Sequence, residues 1–273
     1  MPPVARTSLD ASLANTSDAP QRILILGSAP NSVLAADWPR GLFDRIVVIN
    51  NAWRIRDDWD DLIYPYDFAA ENMPPQIKPH QRIIDENDFV PVQNDYGGFV
   101  YAGATMAYTA GYWVLGHYKP AQIAFMGCDM HYPDTGDTHF YGTGAPDPLR
   151  DDITLTSLEA SSARLYSLAA QQGCQLFNLS DGISRLVFPR MSIAALASGD
   201  AEVPMHTIDA DQIAIALNRE AELDYYVPSG RYWEDISQFD KDALIDLDSL
   251  WMRTIKDALS NDTLPNDALP KTS

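Results

Sequence analysis

Apolar residues in this chain are gathered into short unbroken runs separated by longer mixed stretches. Ile23-Leu24-Ile25-Leu26 ends abruptly at Gly27-Ser28-Ala29-Pro30-Asn31-Ser32, after which Val33-Leu34 resume. A run this short, closed by Gly and Pro, predicts a buried strand and a small-residue turn rather than a helix. A second run, Ile46-Val47-Val48-Ile49, is rich in β-branched residues and ends at Asn50-Asn51. Between them, Leu34 to Asp44 has room for a short helix, although Pro39 and Gly41 interrupt it. Two apolar strands joined by a crossover form a βαβ unit, which predicts a parallel sheet buried on both faces.

The same grammar repeats downstream. Gly103 to Tyr118 has helical character, and Pro120 to Met126 predicts a strand ending at Gly127-Cys128-Asp129. A long polar loop, Met130 to Asp152, follows. Leu158, Leu165, Leu168 and Ala169 recur at helical spacing, so Leu158 to Gln172 predicts a helix, with Thr156 and Glu159 as a capping box and Gly173 as its stop. Cys174 to Leu179 predicts the next strand. These elements imply an α/β fold: a Rossmann-like open, mostly parallel sheet with helices on both faces, spanning about residues 21–190. From Met191 the character changes. Residues 209–223 and 240–259 read as acidic helices separated by the aromatic stretch Tyr225 to Trp233. Residues 191–260 are therefore expected to be a helical extension packed on the sheet or on another subunit. Residues 1–20 and 261–273 are polar and are expected to be disordered tails.

Composition narrows the class of function. The 273 residues are 46% hydrophobic and include 6 Trp, 13 Tyr and 9 Phe, enough apolar material for a core. With 38 acidic and 19 basic residues the formal charge is −19. That charge repels nucleic-acid backbones and anionic lipid, but it leaves room for a local basic pocket that takes a small anion. Cys128 and Cys174 form no C-x-x-C pair, which fits buried reduced thiols in a cytoplasmic protein. No apolar run approaches the roughly 20 residues of a membrane span.

In an open α/β sheet, ligands sit beyond the carboxyl ends of the strands, so the residues that end each strand carry the chemistry. Gly27 lets backbone approach a phosphate, and Ser28 and Asn31 add side-chain donors. Asn50 and Asn51 can read a base or a hydroxyl, or simply form a turn. The loop from Asp129 to Arg150 concentrates carboxylates, His131, His139, Tyr132 and Tyr141. One reading makes His139 a general base with tyrosine hydroxyls and Arg150 steadying an anionic leaving group. Another makes a subset of Asp129, His131, Asp134, Asp137 and His139 a divalent-metal site, although the spacing fits no zinc signature. A solvated acidic loop is the plain alternative.

Taken in order, Ile23 to Ser32, Ile49-Asn50-Asn51, Ala102 to Ala107, Gly127-Cys128-Asp129, Thr138 to Gly142 and Phe177 to Ser180 resemble the bacterial lipooligosaccharide sialyltransferases. More loosely they resemble the pterin diphosphokinase-like proteins linked to flagellin glycosylation. The first resemblance implies transfer of a sugar from a CMP-type nucleotide-activated donor to a hydroxyl of a glycan or other acceptor, with no metal and no further cofactor. It implies that Gly27, Ser28, Asn31, Asn50, Asn51 and Gly103 surround the nucleotide. It also implies that His139 is the base, that Tyr132 and Tyr141 donate to the departing phosphate, and that Asp129 belongs to the catalytic group. The second resemblance implies a magnesium-dependent diphosphokinase, against which no lysine stands in the first turn or the Asp129 loop. Ala102, where the transferases carry a hydroxyl residue, points to a third alternative, a nucleotide-sugar-binding protein without catalysis.

Overall fold

A computed structural model describes residues 22–132, 136–143, 151–199 and 205–256. The expected tails 1–20 and 261–273, with Asp134 and Arg150, lie outside the described residues. Six strands form one sheet: β1 (Arg22–Leu26), β2 (Arg45–Ile49), β3 (Asp61–Ile63), β4 (Arg82–Ile84), β5 (Gln122–Met126) and β6 (Gln175–Asn178). All neighbours run parallel, in the order β4-β3-β2-β1-β5-β6. In β1, Leu24 pairs with Ile46 on one side and Ala124 on the other, so the strand has no free edge.

Strand alternation divides the core into two layers. Ile23, Ile25, Val47, Ile49, Ile123 and Phe125 point into the larger layer. It is roofed by α1 (Glu86–Asn94), α2 (Phe99–Ala102), α3 (Met106–Tyr118) and α4 (Leu158–Gln171). Leu24, Leu26, Ile46, Val48, Ala124 and Met126 face the other way, onto Ala35, Phe43, Trp59 and, from α5 (Ile193–Ser198), Leu196. The sheet is thus covered on both faces, which explains why β1, β2, β5 and β6 read as continuous apolar runs.

The two faces are covered differently. The β1–β2 crossover is not an α-helix but two 3₁₀ segments, Pro30–Asp37 and Arg40–Leu42. Pro30 starts the first, and Pro39 lies in the gap between them, where its missing N–H and fixed φ stop the helix. The α4 cap also differs from expectation. Ser157, not Thr156, accepts the Ala160 amide, while the Thr156 hydroxyl donates to Asp248. Both cysteines are free and buried, and burial raises the thiol of Cys128 and pushes that of Cys174 up to about 12.

The C-terminal helices α6 (Ala210–Leu223) and α7 (Lys241–Met252) share the larger core layer through Ile213, Ala216, Leu244, Leu247 and Trp251. Their anchor is a buried ion pair. Arg164 on α4 donates from Nε and Nη2 to the two oxygens of Glu220 on α6, at 2.7 and 2.8 Å, and from Nη1 to the Tyr112 hydroxyl. Trp251 Nε1 on α7 donates to the same carboxylate at 2.8 Å. Removing one partner of such a pair costs about 3–5 kcal/mol, because the other charge is left buried alone. Among the described residues no helix is long and apolar enough to cross a membrane.

Candidate functional site at the sheet switch point

The chain lays β2, β3 and β4 to one side of β1, then returns through α1 to α3 and places β5 on the other side. The order therefore reverses between β1 and β5, and the crevice beyond their carboxyl ends is the expected ligand position. The two loops meet there. Gly27 N donates to Met126 O at 2.8 Å and Ala29 N to Gly127 O at 3.0 Å. A side chain on Gly27 would run into the Gly127 carbonyl. Glycine is thus required at position 27 by the approach of the two loops, and its amide is spent on the sheet rather than offered to a ligand. Gly103, φ +80°, is likewise used in packing: a Cβ there would stand 2.9 Å from Ser161 Oγ and 3.1 Å from Tyr108 Cδ2.

Past the glycines lies a polar cluster drawn from three strand ends. Asn31 Nδ2 donates to Ser180 Oγ at 2.5 Å and to Asp129 Oδ2 at 3.2 Å. Asn178 Nδ2 donates to Asp129 Oδ1 at 3.3 Å and to Ser184 Oγ at 3.0 Å. Asn178 Oδ1 accepts the Ser180 amide at 2.9 Å. Asp129 is buried, and each of its oxygens is engaged by an amide, so it ties β1, β5 and β6 together and fixes the faces of both asparagines. The side-chain carbonyls of Asn31, Asn50 and Asn51 are buried without any partner. Buried polar atoms are nearly always satisfied, so three orphan acceptors at adjacent strand ends, like those of Gln93 and Asn94 on α1, call for donors from water or from a ligand. Asn50 also holds φ +50°, a left-handed conformation, so the turn reading of this residue is met at the same time.

Arg185 and Arg190 both stand beside this cluster, and Arg185 is paired with Glu159. Arg190 is exposed, its Nη1 donates to Ser180 O at 2.5 Å, and it forms no ion pair among the described residues. It is positioned because Pro189 and Met191 bracket the end of β6: Asn178 N donates to Pro189 O and Met191 N to Asn178 O.

The His139 turn closes onto the first loop. His139 and Gly142 exchange both backbone hydrogen bonds, at 3.0 and 3.1 Å, and Phe140 N donates to Ser28 O at 3.0 Å. The imidazole stacks on Tyr141 with 4.9 Å between ring centres, and Tyr132 lies 6.1 Å away. Its Nδ1 is 2.9 Å from Thr138 Oγ1. Burial lowers the His139 pKa below the ordinary histidine value, which favours the neutral ring at physiological pH. With Thr138 accepting from Nδ1–H, the tautomer that results leaves Nε2 free to take a proton.

Ser28, Asn31 and Asp129 thus stand just beyond the carboxyl ends of β1 and β5, the His139–Tyr141 turn is bonded to the Ser28 carbonyl through Phe140, Tyr132 lies near the imidazole, and Asn50 and Asn51 end the neighbouring strand. His131 and Asp137 are exposed, and among the described residues no three His, Cys, Asp or Glu side chains gather as a metal site would require. Asn178 and Ser180 carried a sequence signal, since both stand at the end of an apolar run. Arg190 carried none, because it falls beyond the last predicted strand. Compared with known proteins, the chain matches no family model, no curated protein and no solved structure.

Proposed function

We propose that the protein is a glycosyltransferase of sialyltransferase-like type that moves a sugar from a CMP-type nucleotide donor to an acceptor hydroxyl. The observation that carries this reading is the trio of orphan asparagine carbonyls just beyond β1 and β2, with the Arg190 guanidinium held beyond β6 on the same edge of the sheet. A nucleotide brings the complement: N–H and O–H donors on base and ribose for the carbonyls, and a phosphate for Arg190. In a chain of net charge −19, an arginine without an ion pair among the described residues, held beyond the end of β6, is a local anion site in an otherwise repulsive field.

In the proposed step the acceptor oxygen attacks the anomeric carbon and its proton passes to His139 Nε2. The bond from that carbon to the phosphate oxygen breaks, and the nucleoside monophosphate leaves with the electron pair. Arg190 and the hydroxyls of Tyr132 and Tyr141 stabilise the charge that develops on the phosphate. Asp129 positions Asn31 and Asn178 rather than touching the reacting atoms. Ala102 is fully buried in the larger core layer, so the hydroxyl it lacks would face packed side chains rather than the crevice. It therefore gives no reason to read the site as inactive.

The test is His139→Ala assayed beside binding. Turnover should be lost while CMP binding stays within a few-fold of the parent. Retained turnover would remove His139 from the mechanism.

A further inference from the structure

A second cleft opens along the same carboxyl edge, beyond β3 and β4, with a volume of about 830 Å³. Its floor is apolar: Phe89, Val90, Phe99 and Met106. Its outer wall comes from the C-terminal extension. Tyr232 is buried there and donates to Asp152 at 2.6 Å, and Asn94 Nδ2 holds Pro228 O at 2.8 Å. Gly230, φ +74°, presses that wall against α1 and α2: a Cβ would stand 3.2 Å from both Phe99 and Val90. Trp233 then reaches across to Tyr66, the residue third after β3, and the two rings stack at 5.8 Å with 25° between planes. Both rings remain exposed, Tyr66 by 68% and Trp233 by 46%, an unusual outlay of aromatic surface at the mouth of a cavity.

The charge of the lining is one-sided. Asp67 and Glu86 face the cleft with no hydrogen bond or ion pair to any described residue, and Asp152 is already engaged by Tyr232 and Thr154. Among the described residues of the wall the cation is Arg231, which is paired with Glu234 at 3.7 Å. The α1 N-terminus, which would otherwise attract an anion, is closed by its own capping box, in which Asp85 accepts the Asn87 amide and Asp88 accepts the Asp85 amide. Anions are therefore disfavoured here, in contrast to the Arg190 crevice. Free carboxylates, exposed aromatic faces and an apolar floor are the complement of an organic cation.

We propose that this cleft binds a small amphipathic ammonium ligand, its apolar body on Phe89, Phe99 and Met106 and its charge between Asp67, Glu86 and the Tyr66–Trp233 pair. The site does not depend on the nucleotide reading, because it shares no residue with the Asn31–Asp129–Arg190 cluster. Benzylamine, benzyl alcohol and benzoate have the same ring and differ in charge, so ligand-detected NMR titrations of the full chain with all three isolate the charge dependence. Benzylamine should bind saturably, at least tenfold more tightly than benzyl alcohol, with benzoate weakest and with affinity falling as salt is raised. Asp67→Asn combined with Glu86→Gln should erase the preference for amine over alcohol. Trp233→Ala should weaken all binding, and CMP titration of each variant should be unaltered. Equal affinity for amine and alcohol, tighter benzoate, or no saturable binding by any of the three would overturn the proposal. A preference that survives the double carboxylate variant would overturn it as well.

Discussion

Asn51→Ala separates a carbonyl kept for a ligand from one kept for the fold. Asn51 is 8% exposed and its Oδ1 has no partner, so the free protein carries a desolvated acceptor at a cost of about 1–3 kcal/mol. Alanine removes that acceptor and gives back a small amount of packing, so stability should hold or rise by about 1 kcal/mol. For a chain of this size that is about 2–4 °C in Tm. Asn51 is the cleanest of the three positions. Asn31 also bonds Asp129 and Ser180, and Asn50 sits at φ +50°, where alanine would be strained. In the nucleotide complex the same substitution deletes a neutral hydrogen bond worth about 1–1.5 kcal/mol, a loss in affinity of roughly five- to twelvefold. Thermal melts and CMP calorimetry on the parent and Asn51→Ala report both quantities. A lower Tm with unchanged CMP affinity would refute the reasoning, because the carbonyl would then be serving the fold.

Other consequences are as direct. Because burial lowers the His139 pKa, the acid limb of a pH–rate profile should fall below the ordinary histidine value of about 6.5, since activity is lost only where the ring is protonated. A limb at or above that value would contradict the assignment. Asp248, packed against Thr156, is pushed up to about 6 by burial. Its folded form holds a proton more tightly than its unfolded form, so the contribution of this group to stability is greatest at low pH and falls as pH rises from about 4 to about 6. The fall is about 3 kcal/mol. Asp248→Asn should flatten that part of a stability–pH curve, and an unchanged slope would count against it. Glu220→Ala leaves Arg164 buried and unpaired, so denaturant unfolding should show about 3–5 kcal/mol of destabilisation. A loss below 1 kcal/mol would mean that α6 is not anchored through this pair. Arg190→Ala should weaken CMP binding more than cytidine binding, measured by calorimetry, and equal losses would take the phosphate away from Arg190.

Much of the central sheet was legible because β1, β2, β5 and β6 are buried on both faces, and their apolar runs stand out against polar turns. β3 and β4 were not legible. Each is three residues long, Asp61 opens β3 inside the core, and Arg82 opens β4 at the exposed edge, so no apolar run forms. Asp61 is tolerated there because Arg82 and Tyr118 both donate to its carboxylate. α1 escaped notice because ENDFVPVQN carries Pro91 in mid-helix and few apolar residues. At the candidate site, strand ends could be read from sequence but their pairings could not. That Asp129 bonds Asn31 and Asn178, residues far apart in the chain, follows only from the strand order. Gly27 shows the reverse: a residue type expected for phosphate contact is needed because two loops cross.

The most direct measurement is calorimetric titration of the full chain with CMP and with ATP, each in magnesium and in EDTA. CMP binding that persists in EDTA and exceeds that of ATP is the predicted result. Binding of ATP only with magnesium, or of neither nucleotide, would contradict the proposed function.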